Sequence, residues 1–197
     1  MISDVDVCNK ALNYLQAGKI ESLEDNTAPA IACRTVFDTM RDSVLADYPW
    51  SFATSIVLPV LIASEVLIGW EYLYAMPLDC LAIRKLFLDD SSTDPEPIEF
   101  RECLSPSTEV RAIAVNFEDP YLEYTRQIVD PALWSVKFSD VLALRLAAEI
   151  GARITGKQEY ATEATNRYGL AISEAKRLDG GSKRVDKVRT SSYEESR

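Results

Sequence analysis

Histidine is absent from the 197-residue sequence, and this decides which chemistry the chain can perform. Without histidine, Ser-His-Asp and Cys-His nucleophile systems, most catalytic zinc sites and the commonest general base near neutral pH are excluded. The sequence also lacks the GxGxxG and GxxxxGKS/T patterns of glycine-rich phosphate-binding loops. The chemistry that remains is that of paired carboxylates, as in glycoside hydrolysis, which needs two acids roughly 5 to 10 Å apart.

Three acidic residues are candidates for such a pair because they flank aromatic residues: Glu65, Glu71 and Asp79. Sugar-binding carboxylates often lie beside aromatic rings. Acidic residues are nevertheless mostly surface charges, so a structural role beside packing aromatics is about ten times more common. We therefore expect no catalytic site, and a polysaccharide or peptidoglycan hydrolase is the alternative function.

The sequence contains four widely spaced cysteines with no CxxC pair: Cys8, Cys33, Cys80 and Cys103. The N-terminus carries Asp4 and Asp6 where a secretory signal needs positive charge, so we expect synthesis and retention in the cytoplasm. Reduced, mostly buried thiols are the prediction in that compartment, with no metal and no cofactor. The longest apolar stretch, 53–70, is interrupted by a proline and by polar residues, which argues against a membrane span.

Formal charge is unevenly distributed along the chain. The net charge is -10 and the pI about 4.6, so the field of the whole protein repels phosphate and disfavours tight nucleic-acid binding. Residues 180–197 hold five basic residues against three acidic ones, a net of +2, which leaves -12 on the remainder. The basic residues we single out in this segment are Lys183, Arg184, Lys187 and Arg189. They belong either to a solvated tail or to an arm that docks during assembly.

The apolar patterns predict helices at both ends of the chain and short strands between them. Four helices are predicted from apolar steps of three and four residues, at about 4–17, 27–48, 138–155 and 157–179. β-branched and aromatic runs separated by turn-rich stretches predict a β-rich insertion over about 50–129. The predicted fold is α+β and mainly α: a helical bundle with a small β-rich insertion, in one domain over 1–179. Residues 180–197 lack an apolar period and predict a flexible C-terminal arm.

The third predicted helix is apolar almost all round. Its polar residues form a single stripe, Arg145, Glu149 and Arg153, in which neighbours have opposite charge. Such a helix has too little polar surface to lie on the exterior of a monomer. It is buried either within the bundle of one chain or between subunits, and the pattern admits both arrangements.

Aromatic residues cluster around the start of the predicted β-rich insertion. Trp50, Trp70, Tyr72 and Tyr74 are candidate interface anchors, because large aromatic side chains dominate many interfaces. Aromatic residues also fill protein cores, and for any one of these residues a core position is favoured by roughly two to one.

Four segments spread over nearly the whole chain have a characteristic order. They are NKALNYLQAGKIESLEDNTAPA at 9–30, RTVFDTMRDSVLADYPWSFA at 34–53, GWEYLYAMPLDCLAIRKL at 69–86 and FSDVLALRLAAEIGARITG at 138–156. In this order the chain resembles the tail tubular protein A family, the head-to-tail adaptor subunits of short-tailed phages and their relatives. One departure lies in the first helix, where the family usually has glycine after the leucine pair and this chain has Gln16, Ala17 and Gly18. The end of that helix is therefore expected to be shifted.

The resemblance implies a structural virion protein, made in the host cytoplasm and placed in the neck of the particle. It implies a ring of about a dozen copies between the portal protein and the tail nozzle, around the channel through which double-stranded DNA leaves. An acidic lining would let the duplex pass without retention, and the basic arm or helix ends would contact the portal. The alternative hydrolase would then be tail-associated, and an intracellular interaction protein with no viral role is a third possibility.

Overall fold

The computed structural model describes residues 2–63, 67–88 and 95–182. The chain divides into two compact units. The helical unit joins residues 1–37 to those from 135 onward, and the sheet unit comprises residues 38–134. The single domain predicted over 1–179 stays a prediction, because two compact units can belong to one domain.

The described residues contain four α-helices, which come from both ends of the chain as predicted. They are α1 (Asp4–Tyr14), α2 (Ala28–Asp47), α3 (Val136–Thr155) and α4 (Gln158–Ser182). Two single-turn 3₁₀ helices, Ser51–Ala53 and Pro131–Leu133, flank the strands. The predicted α+β class, with helices from both ends and an inserted β region, is confirmed.

The first helix is shorter than predicted, since α1 ends at Tyr14 and not near residue 17. Gln16 adopts a left-handed conformation, with a φ of 55°, so the chain leaves the helix before Gly18. The turn that follows is held by Asn9, whose side-chain amide bonds both the N–H and the C=O of Ile20 at 2.9 Å. Side-chain bonding to the backbone therefore ends this helix, a signal that glycine spacing does not reveal.

Capping residues place the other helix boundaries close to their predicted positions. Ser3 and Asp6 form a reciprocal capping box at the start of α1, as the sequence indicates. Ser135 caps α3 by accepting from the N–H of Phe138, and Gly156 ends α3 with a φ of 69°. The last helix, α4, continues through Gly180 and Gly181 to Ser182. The rest of the predicted arm, 183–197, lies outside the described residues.

The helical unit is organised around α3, which packs against α1 and α4. Three contacts between α3 and α4 run in opposite directions along the two helices, so they form an antiparallel hairpin. Gly151 lies against Ala161, Arg145 stacks on Tyr168, and Lys137 pairs with Glu174. A Cβ at Gly151 would lie 3.1 Å from the backbone of Ala161 and from Leu15, so this residue allows the close approach of its neighbours.

The described part of the sheet unit contains seven strands. They are β1 (Thr54–Val57), β2 (Val60–Leu61), β3 (Tyr72–Ala75), β4 (Cys80–Phe87), β5 (Arg101–Leu104), β6 (Arg111–Val115) and β7 (Tyr121–Arg126). They form two antiparallel sheets, one in the order β1-β7-β4 and the other in the order β2-β3-β6-β5. The β-rich insertion predicted over about 50–129 contains all of them.

The core of the sheet unit lies on both faces of the β2-β3-β6-β5 sheet, since β6 buries four consecutive residues, 112–115. Fully buried side chains include Leu86, Ile113 and Leu122, and Tyr74 packs among the same group. The end of α2, from Asp38 to Asp47, belongs to this unit, and the side chain of Arg84 binds two of its terminal carbonyls. Arg84 of β4 donates to the C=O of Ala46 at 2.8 Å and to that of Leu45 at 3.4 Å.

In the part of the chain that the structure describes, no helix combines the length and the apolar character needed to cross a membrane.

Candidate functional site

Exposed large apolar side chains are distributed very unequally between the two units. Among the described residues the helical unit exposes two, Val136 and Leu170. The sheet unit exposes twelve: Ile56, Leu58, Val60, Leu61, Ile68, Leu78, Leu88, Leu104, Val110, Phe117, Val129 and Leu133. Single exposed apolar residues are ordinary, but a concentration in one region indicates an interaction surface.

The densest group is the β1–β2 patch, which we define as Ile56, Leu58, Val60 and Leu61. Four apolar side chains within six residues are exposed, and Val60 retains 73% of its accessible surface. Leu78 is fully exposed one residue beyond Pro77, which lines the same region.

Local sequence explains why this segment stays at the surface. The apolar run IVLPVLI contains Pro59, which has no N–H to donate to a ladder and is found in sheets at edges or breaks. The chain therefore leaves β1 at Val57 and begins β2 at Val60 in the other sheet. Both strands are sheet edges, with β1 bonded only to β7 and β2 only to β3 among the described strands. Exposed apolar edge strands are sites at which another chain can pair or pack.

A shallow groove of about 280 Å³ lies along the patch. Its lining is almost entirely apolar: Val57, Leu58, Pro59, Val60, Ala75, Met76, Pro77 and Tyr124. The Tyr124 hydroxyl donates to a carboxylate oxygen of Asp79 at 3.1 Å, and burial raises the pKa of Tyr124. The groove therefore offers apolar contact area and one fixed polar group, without a cluster of reactive groups.

The structure describes two of the three carboxylates proposed for hydrolysis, Glu71 and Asp79. Asp79 accepts from Tyr124 and forms an ion pair with Arg126, whose Nε lies 2.8 Å from its other oxygen. Glu71 is exposed, and Glu65 lies outside the described residues. Within the ranges described, no group of three Cys, Asp or Glu side chains could hold a metal ion.

The four aromatic residues proposed as interface anchors are distributed between core and surface. Trp50 and Tyr74 are buried: the Trp50 indole donates to the C=O of Val44 at 2.9 Å, and the Tyr74 hydroxyl accepts from a backbone N–H at 2.9 Å. Trp70 and Tyr72 are partly exposed, and the Tyr72 hydroxyl donates to Glu118 at 3.0 Å. Only Trp70 and Tyr72 therefore have surface available to a partner.

The polar stripe of α3 divides in a similar way. Arg145 is half-buried, with its guanidinium 5.6 Å from the centre of the Tyr168 ring, whereas Glu149 and Arg153 are exposed. No ion pair joins these three residues in the described structure. The basic residues proposed for the arm, Lys183, Arg184, Lys187 and Arg189, lie outside the described ranges.

Burial of the apolar face of α3 takes place within one chain. Half of its 20 residues are buried, with Leu142, Leu146 and Phe138 fully covered, and its partners are α1 and α4. Of the two arrangements the sequence left open, the structure has the one within a single chain. Copies of the protein are therefore not needed to cover this helix.

The β1–β2 patch is the part of the surface that sequence reasoning missed. The run IVLPVLI falls within the predicted β-rich insertion, and its apolar composition suggests buried strands. The signal was the proline: apolar residues on both sides of Pro59 cannot all reach one core, because the proline interrupts pairing.

Acidic charge coincides with exposed apolar surface. The sheet unit, 38–134, carries six basic residues against seventeen acidic ones, a net charge of -11. The remainder of the chain carries fifteen basic residues against fourteen acidic ones, a net of +1. The unit that exposes most apolar side chains thus holds the whole excess of negative charge.

No protein-family model matches the chain, and no curated protein sequence matches it.

Proposed function

We propose that this protein is a structural subunit of a ring-shaped adaptor that joins the head of a tailed virus to its tail. Its partners are other copies of the chain, about a dozen in all, with the portal protein on one side and the tail nozzle on the other. The viral assignment comes from the resemblance of four ordered segments, 9–30, 34–53, 69–86 and 138–156, to the tail tubular protein A family.

The observation that carries the assembly part of the proposal is the β1–β2 patch. Val60 and Leu61 are exposed on an edge strand, beside an apolar groove whose walls include Met76. Monomeric proteins usually protect edge strands with charges, bulges or covering loops. An apolar edge left open is a surface that a partner covers.

The charge of the sheet unit supports the proposed path of DNA. With a net charge of -11, this unit repels a duplex, so a channel wall formed by it would not hold the genome back. Exposed acidic residues that have no basic partner among the described residues, such as Glu71, Glu96 and Glu99, are suited to such a wall. In the proposed function, DNA thus passes through the ring without being bound by the channel wall.

The hydrolase alternative has no specific observation in its favour. Asp79 is bonded to Arg126 and Tyr124, which gives this carboxylate a structural role in the sheet unit. Turnover of peptidoglycan or of a polysaccharide, lost in Glu71→Gln, would nevertheless establish it. An intracellular interaction protein without a viral role remains the third alternative, and it requires no ring.

Electron micrographs of the purified protein mixed with a candidate portal test the proposed function directly. We expect rings bound to one end of the portal, and fewer of them with Val60→Asp. Leu104→Asp is the matched control, because Leu104 is 61% exposed on β5, at the opposite edge of the same sheet. A portal that stays bare at every protein concentration would contradict the proposal.

A further inference from the structure

We infer that the sheet unit of one copy binds the helical unit of the next, with the β1–β2 patch covered by the exposed side of the α3–α4 hairpin. The inference rests on the proposed ring and names its interface. A closed ring needs two different faces on each copy, because a face that binds itself closes a pair and stops. The two units supply two faces of different character.

Charge decides against contact between two sheet units. Each carries -11, so a patch-to-patch pair would bring the two most acidic regions of the assembly together. Like charges brought together oppose association. The repulsion extends over about one Debye length, the distance beyond which dissolved salt screens it. The helical unit, at +1, carries no comparable charge and is the better electrostatic partner.

The helical unit has a matching apolar site on α4. Leu170 is 74% exposed, and Glu174 and Arg177 follow it at i+4 and i+7 on the same helical face. Glu174 pairs with Lys137, the residue after Val136, so the start of α3 lies beside this face. Val136 is itself exposed, which makes these two residues the exposed large apolar side chains of the described helical unit.

Basic residues near this site complement the acidic sheet unit. Lys176 and Arg177 are exposed, and neither has an ion-pair partner among the described residues. Arg177 shares the face of Leu170 with Glu174, and Glu174 is paired with Lys137, so one cation without a described partner lies beside the apolar residue. This apolar contact with a cation at its side would meet the apolar patch within its acidic surroundings. Apolar contact then supplies affinity, and the charges select which two faces meet.

Two variants test the inference, because each disrupts one of the two surfaces that are proposed to meet. Val60→Asp blocks the sheet side and Leu170→Asp blocks the helical side, and both residues are exposed, so folding is unaffected. Each variant alone should associate about tenfold more weakly or worse. Mixed in equal amounts, the two variants keep one intact interface between them, so they should form a mixed pair that grows no further.

Native mass spectrometry of the mixture, with one variant isotopically labelled, distinguishes the outcomes, both without and with the candidate portal. A mixed pair of one copy of each variant supports the inference. If Leu170→Asp assembles like the unaltered chain, the surface around Leu170 is not the partner of the β1–β2 patch. The proposed ring is not contradicted by that result. If the unaltered chain forms no assembly in either setting, the proposed function fails and the inference fails with it.

A second pair of variants protects the test against misfolding. Ile56→Asp replaces Val60→Asp on the sheet side, and Val136→Asp replaces Leu170→Asp on the helical side. Asp at the first residue of α3 also favours the helix, since negative charge is stabilising at a helix N-terminus. Circular dichroism and thermal unfolding should match the unaltered chain for all four variants. Failure of both pairs to give a mixed pair would overturn the inference.

Discussion

The helical unit covers its large apolar side chains, apart from Val136 and Leu170, whereas the sheet unit leaves twelve exposed among the described residues. The two units have similar lengths, so size does not explain the difference. In the helical unit a nearly all-apolar helix, α3, has neighbours in α1 and α4 that bury it. In the sheet unit two short sheets end in edge strands that no described strand covers. The helical unit therefore covers most of its large apolar side chains within one chain, and the described part of the sheet unit does not.

The largest effect expected from this comparison is a loss of stability when the helical core is reduced. Leu142 of α3 is fully buried, so Leu142→Ala should lower the free energy of unfolding by about 2–5 kcal/mol. Leu61→Ala, on the exposed patch, should change it by less than about 0.5 kcal/mol. Denaturant unfolding of both variants measures the difference. Equal losses would mean that the patch is covered within the chain after all.

The bonds that Arg84 makes within the sheet unit, to the end of α2 and to β7, should give the next largest effect. Arg84→Ala removes the donors to the carbonyls of Leu45 and Ala46 and the 2.7 Å bond to Thr125. Unfolding should become easier by roughly 1–3 kcal/mol, because the carbonyls at the end of the helix lose their partner. Arg101→Ala, an exposed arginine on β5, is the control and should have no effect. Thermal unfolding of the two variants should separate them clearly.

Alkaline pH should weaken the sheet unit by a smaller amount. Burial raises the pKa of the Cys80 thiol to about 11, above its ordinary value near 9. The thiol stays protonated in the fold, so its contribution is complete below pH 9 and is lost as the pH rises toward 11. We expect this residue to account for roughly 1–2 kcal/mol of the fall in unfolding free energy over that range. Cys80→Ala should flatten the pH dependence, and an unchanged slope would contradict the assignment.

Sequence reasoning predicted the order of elements well because each helix has its own local signal. The capping box at Ser3 and Asp6, and the glycine after α3, are determined by neighbouring residues. The end of α1 was misplaced because Asn9 bonds the backbone of Ile20, eleven residues away. Contacts at that distance leave no periodic trace in the sequence.

The proposed interaction surface was harder to predict than the fold. Trp50 and Tyr74 were named as anchors for their size, but whether an aromatic side chain is buried depends on the strands packed around it. The β1–β2 patch was overlooked because an apolar run suggests burial unless its proline is considered. The net charge of each unit could be calculated only after the structure showed that residues 38–134 form a separate compact unit.

The most direct test of the central claim, that other copies cover the β1–β2 patch, is the native mass of the protein over a wide concentration range. The unaltered chain and Leu104→Asp should form the same multiple of the subunit mass. Val60→Asp should remain a folded monomer at concentrations about tenfold higher or more, since one buried carboxylate is costly in an apolar contact. Identical assembly of all three proteins, or a monomer in every case even with the portal present, would contradict the account.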